Sequence, residues 1–126
     1  MRRQLARRTE LEQVAHRVWE SAYFEYSSDT YDPRHDLELR WDYEGTPPGE
    51  LVGFVVQLEE WASERIVSEL RFRPDVRRVT LTAAKLRQLG GPFPELLLTL
   101  WAELRGANDL VWLDEQLLEA NRPRGC

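Results

Sequence analysis

The stretch Leu51-Val52-Gly53-Phe54-Val55-Val56-Gln57-Leu58-Glu59-Glu60-Trp61-Ala62-Ser63-Glu64-Arg65-Ile66-Val67-Ser68-Glu69-Leu70 decides how this chain is read. Its apolar residues cover well over half of a helical wheel, the pattern of a helix buried on more than one side. Just upstream, Gly45-Thr46-Pro47-Pro48-Gly49 offers Thr46 as a cap and Pro47 as a first-turn residue. The spacing predicts a helix over 48–70.

On the N-terminal side, Leu37, Leu39, Trp41 and Tyr43 alternate with Glu38, Arg40, Asp42 and Glu44. Period-two alternation predicts a strand at 37–44 with one buried and one wet face, as in an antiparallel sheet. Ala22, Phe24 and Tyr26 alternate more weakly and predict a short strand at 22–27, paired with 37–44. Before it, Thr9-Glu10-Leu11-Glu12 fits a capping box. Leu11, Val14, Ala15, Val18, Trp19 and Ala22 follow at helical spacing, so a helix is expected from about 10 to the low twenties.

On the C-terminal side, Val79 and Leu81 mark a strand at 76–81. Thr82 caps a helix at 83–89 that Gly90-Gly91 ends. Helices are then expected at 94–105 and from 108 or 109 to about 120. The fold class this predicts is α+β: a small, mostly antiparallel sheet (strands near 22–27, 37–44 and 76–81) against five helices. A single domain over 9–121 lies between a basic arm, 1–8, and a short tail, 122–126.

Composition narrows the function classes. The chain has 126 residues and a formal net charge of −5, and its five Trp, four Tyr and four Phe rule out a disordered composition. No apolar run approaches the ~18–20 residues of a membrane span. Met1–Arg8 is basic with no apolar run behind it, unlike a secretory leader. The one cysteine is Cys126, which excludes a disulfide framework within the chain and points to a reducing, cytoplasmic setting.

Catalytic patterns are sparse. There is no Gly-rich phosphate loop, and His16 sits one position from an apolar stripe, where an ordinary hydrogen bond accounts for it. Asp29, Asp32, His35 and Asp36 lie within eight residues and suit a divalent metal by ligand type, but they match no metal-loop spacing. Turn chemistry is the ordinary use of such residues. Glu59 falls inside the apolar arc of the expected 48–70 helix, where Arg40 or Arg78 from a neighbouring strand would neutralise it. No catalytic residue, metal or cofactor is therefore assigned, and binding rather than catalysis is expected.

Three surfaces are candidates. Acidic residues crowd residues 25–44, and Asp32, Asp36, Glu38, Asp42 and Glu44, mixed with aromatics, suit a basic protein partner. An inhibitor, immunity protein or antitoxin would use such a face. The alternative is nucleic-acid association through Arg2, Arg3, Arg7 and Arg8 with Arg77 and Arg78; a metal-dependent or acid–base enzyme is the third reading. Finally, the apolar residues of the expected 94–105 and C-terminal helices spread over more than one core face needs. That surplus predicts a homodimer through Leu97, Trp101 and Trp112.

Overall fold

A computed structural model describes residues 22–25, 29–47, 49–107 and 109–121. Its elements in chain order are β1 (Tyr23–Phe24), β2 (Thr30–Tyr31), β3 (Leu37–Asp42), β4 (Leu51–Glu60), β5 (Arg65–Phe72), β6 (Arg78–Leu81), α1 (Ala83–Gln88), β7 (Glu95–Leu104) and β8 (Val111–Ala120). The architecture is mostly β, two sheets with one short helix among the described residues, and this corrects the α+β expectation of five helices.

The stretch that decides the fold is a hairpin. β4 and β5 pair antiparallel from Phe54↔Phe72 to Glu60↔Arg65 around a turn at Trp61–Glu64, where Glu64 takes a left-handed φ of 56°. The 94–105 segment is β7, and the segment to 120 is β8. The physical reason is common to all three. A central strand buried on both faces reads as a continuous apolar run, which periodicity cannot distinguish from a buried helix. β4 shows it: Phe54, Val56 and Leu58 point to one side, Val55 and Glu59 to the other, and all five are buried.

The five-stranded sheet runs β2-β8-β7-β4-β5, antiparallel except for the short parallel pairing of β2 with β8. The smaller sheet runs β1-β3-β6, all antiparallel. Here the sequence expectations hold in kind: strands occur within 22–27, 37–44 and 76–81, and the first pairs with the second. Leu37, Leu39 and Trp41 are buried and Glu38 and Arg40 exposed, as the alternation requires. Thr82 caps α1 by accepting from Lys85 N–H at 3.0 Å. The helix expected from residue 10, the 1–8 arm and the 122–126 tail lie outside the described residues.

The core lies between the sheets. Trp41 of β3 stacks at a tilt on Phe72, with ring centroids 5.0 Å apart, and meets Phe54 edge-on at 6.3 Å. Leu81, Leu86 and Phe93 close the same cluster. Each such fully buried side chain contributes roughly 1.5–3 kcal/mol of transfer free energy.

Candidate protein-binding surface

The smaller sheet carries two of the acidic residues picked out from the sequence, Glu38 and Asp42, on β3. Its register sets Tyr23 opposite Asp42 and Glu38 opposite Thr80. Arg40 lies opposite Arg78, and Glu38 pairs with Arg40 on its own strand, Nε to Oε1 at 2.5 Å. Glu38 thus sits in a mixed-charge patch. Acidic residues also flank the β1 end, where Asp42 lies opposite Tyr23 and Glu25 and Glu44 stand nearby. Burial raises the Tyr23 hydroxyl pKa above 10, and Glu44, Asp42 and Glu25 each add to the rise. Glu25 and Glu44 are exposed and make no ion pair among the described residues.

Arg77 borders this cluster from below. Its Nε lies 3.7 Å from the Asp42 carboxylate, and its guanidinium stacks 4.7 Å above the Tyr43 ring and 5.1 Å from that of Phe54. It also donates to the Pro74 and Val76 carbonyls. Arg77 is committed to the fold, whereas its neighbour Arg78 is exposed; Arg2, Arg3, Arg7 and Arg8 lie outside the described residues.

Asp32 and Asp36 do not join the acidic cluster. Asp32 accepts from Arg34 N–H at 2.9 Å and from its guanidinium at 3.1 and 3.0 Å, with His35 3.6 Å away. The hydrogen bonds from Arg34 hold the Asp32 carboxyl down at about 2. Asp36 accepts from Ala83 N–H at 3.1 Å, tying the loop to the first turn of α1. These are the turn and capping roles that Asx residues ordinarily take. Among the described residues no group of three or more His, Cys, Asp or Glu is placed to hold a metal.

Beside this loop opens a cleft of about 570 Å³, lined by Pro33, Arg34, Pro92, Pro94, Glu95 and Glu119 among others. Glu95 and Glu119 face each other across β7 and β8.

The residues expected at a dimer interface share one sheet face, because Trp101 pairs with Trp112 and Leu97 lies two pairs along the same side. Leu97 and Trp112 are nevertheless 3% and 6% exposed within the single chain, so a second copy reaches them only by displacing what covers them. Glu59 lies on that face too, 1% exposed. Arg40 and Arg78 belong to the solvent side of the other sheet, which corrects the expected pairing with Glu59.

Sequence reasoning counted Glu25 in the acidic stretch without carrying it to the candidate site, and missed Tyr23. The signal was the alternation at 22–26, which puts Tyr23 and Glu25 on the side opposite Ala22 and Phe24. Among the described residues no helix is long and apolar enough to cross a membrane. Compared with known proteins, the chain matches no family model and no curated protein.

Proposed function

We propose that this is a small intracellular binding protein, not an enzyme, which engages a basic protein partner through the cluster of Tyr23, Glu25, Asp42 and Glu44. The observation that carries the reading is the pairing of half-buried Tyr23 with Asp42 at the edge of the smaller sheet, with exposed Glu25 and Glu44 acting on the same hydroxyl. A tyrosine supplies a rigid apolar anchor with a polar tip, and the carboxylates around it steer a cationic surface toward it. The partner presents arginine or lysine side chains around a pocket for the ring, as a basic active site would. The single cysteine at Cys126 fits a reducing compartment.

The alternatives draw less support. Arg77 is spent on Asp42 and two aromatic rings, which halves the arginine pair proposed for nucleic acid. Asp32, His35 and Asp36 serve their own loop rather than converging on a substrate site.

The test is affinity capture from the native host with wild type and with an Asp42→Asn/Glu44→Gln variant of unchanged circular dichroism. The expected result is a basic protein held by wild type and lost by the variant. Identical capture by both proteins, or no specific capture by wild type, overturns the reading.

A further inference from the structure

β5 forms one edge of the five-stranded sheet, and among the described residues no strand lies beyond it. Successive residues of a strand direct their N–H and C=O groups to alternate edges. The Phe72 carbonyl oxygen is turned toward β4, since a Cβ on Gly53 would lie 2.3 Å from it. Leu70 and Ser68 share its parity and pair with Val56 and Leu58 of β4. The N–H and C=O groups of Glu69 and Arg71 therefore point outward. An open rail of this kind is a template for another strand.

The side chains along the rail select the strand. Glu69 and Arg71 are exposed, and the Arg71 guanidinium lies 3.3 Å from the Glu69 carboxylate and 3.4 Å from that of Glu103. Leu70 and Phe72 are half-buried against the rim of the core cluster. Edge charges ordinarily turn an incoming strand away. Here they alternate in sign two residues apart, which opposes most registers and favours one.

A second copy running antiparallel about a two-fold axis must set outward-pointing residues against outward-pointing residues. Centred on Ser68, that pairing puts Arg65 against Arg71; centred on Glu69 or Arg71, it puts a charge against its own copy. Like charges directly opposite each other destabilise a sheet. Centred on Val67, it falls on the extra residue of the bulge between the Leu58↔Ser68 and Glu59↔Ile66 pairs, where a strand bends out of regular pairing. Centred on Leu70, Glu69 of each copy meets Arg71 of the other, so the favourable contact is made twice. That register also lays Leu70 against Leu70 and Ser68 against Phe72, covering the apolar side chains that β5 leaves half-exposed.

We propose that the β5 edge is a self-association surface, on which a second copy of this chain pairs antiparallel about Leu70 and joins the two large sheets into one. Such a contact is isologous and closes at two copies. It needs neither Leu97 nor Trp112, both buried within the single chain.

Sedimentation of the full chain over a concentration series, in reductant so that Cys126 forms no cross-link, tests it together with Glu69→Arg, Arg71→Glu and their equimolar mixture. Wild type should dimerise with concentration, and amide exchange at Glu69 and Arg71 should slow as it does so while that at Leu70, already bonded to β4, changes little. Each single variant sets like charges across the axis and should dimerise about tenfold or more weakly. The mixture restores both opposite-charge pairs and should recover a dimer of one copy of each. A wild type that stays monomeric at every concentration overturns the inference and leaves the edge to an extended segment of another protein. Single variants that dimerise as wild type does, or a mixture that recovers nothing, overturn it as well.

Discussion

The backbone N–H of Phe24 donates to the Asp114 carboxylate at 2.8 Å, joining the two sheets across ninety residues of sequence. A hydrogen bond to a charged acceptor contributes roughly 1.5–3 kcal/mol. Asp114→Ala should cost about that much in urea unfolding and speed amide exchange at Phe24. Asp114→Asn keeps an acceptor and should cost less. Equal exchange at Phe24 in wild type and Asp114→Ala would show that the bond does not hold β1 in place.

Gly53 sits where β4 meets β5 most tightly. A Cβ there would lie 2.3 Å from the Phe72 carbonyl oxygen, a backbone atom that cannot move without opening the pairing. Gly53→Ala should destabilise by roughly 1–3 kcal/mol, the usual cost of overpacking. Gly49→Ala meets no heavy atom within 4 Å and should change stability by no more than ~0.5 kcal/mol. Equilibrium denaturation of the two variants side by side makes the comparison.

The Asp32 carboxyl, held at about 2 by Arg34, should stay ionised well below the ordinary carboxylate range. A depressed folded-state value places its contribution to stability above the unfolded value of about 3.8, to be lost as pH falls toward 2. Carboxyl carbon chemical shifts followed from pH 6 to 1.5 read the midpoint. Arg34→Gln should move it up toward 3.8, and an unmoved midpoint would contradict the assigned cause.

Tyr23 should titrate above 10, because burial and then Glu44, Asp42 and Glu25 all oppose its phenolate. Glu44→Gln removes one of these charges and should lower the midpoint in an ultraviolet titration. A folded-state value raised above the unfolded one means that Tyr23 stabilises the fold below pH 10 and stops doing so as pH rises through its own midpoint. An identical midpoint in Glu44→Gln would remove Glu44 from the cluster.

How far the sequence could be read depended on which faces each element buries. β3 was legible because one of its faces is wet, so Leu37, Leu39 and Trp41 alternate cleanly with Glu38 and Arg40. α1 was legible from Thr82 and the glycines that follow. β7, with Leu96, Leu97, Leu98, Leu100 and Leu104, was not: leucine favours helices, and its two buried faces erase the period. Tertiary burial overrode local propensity there. β4 carried more warning, since Val52, Val55 and Val56 are β-branched and Gly53 interrupts any helix. Trp61–Glu64 divides a run too long for one strand. At the candidate site, Asp42 and Glu44 were legible as exposed acids. The ties of Asp32 to Arg34 and of Asp36 to α1 depend on loop geometry, and charge pattern alone does not reveal them.

The most direct test of partner binding through the acidic cluster is the association rate with the captured partner, followed across ionic strength. Steered encounter predicts a wild-type rate that falls about tenfold or more from low to high salt. Asp42→Asn/Glu44→Gln should associate more slowly at low salt and lose most of that dependence. Equal rates for the two proteins, insensitive to salt, would contradict the role given to Tyr23 and its carboxylates.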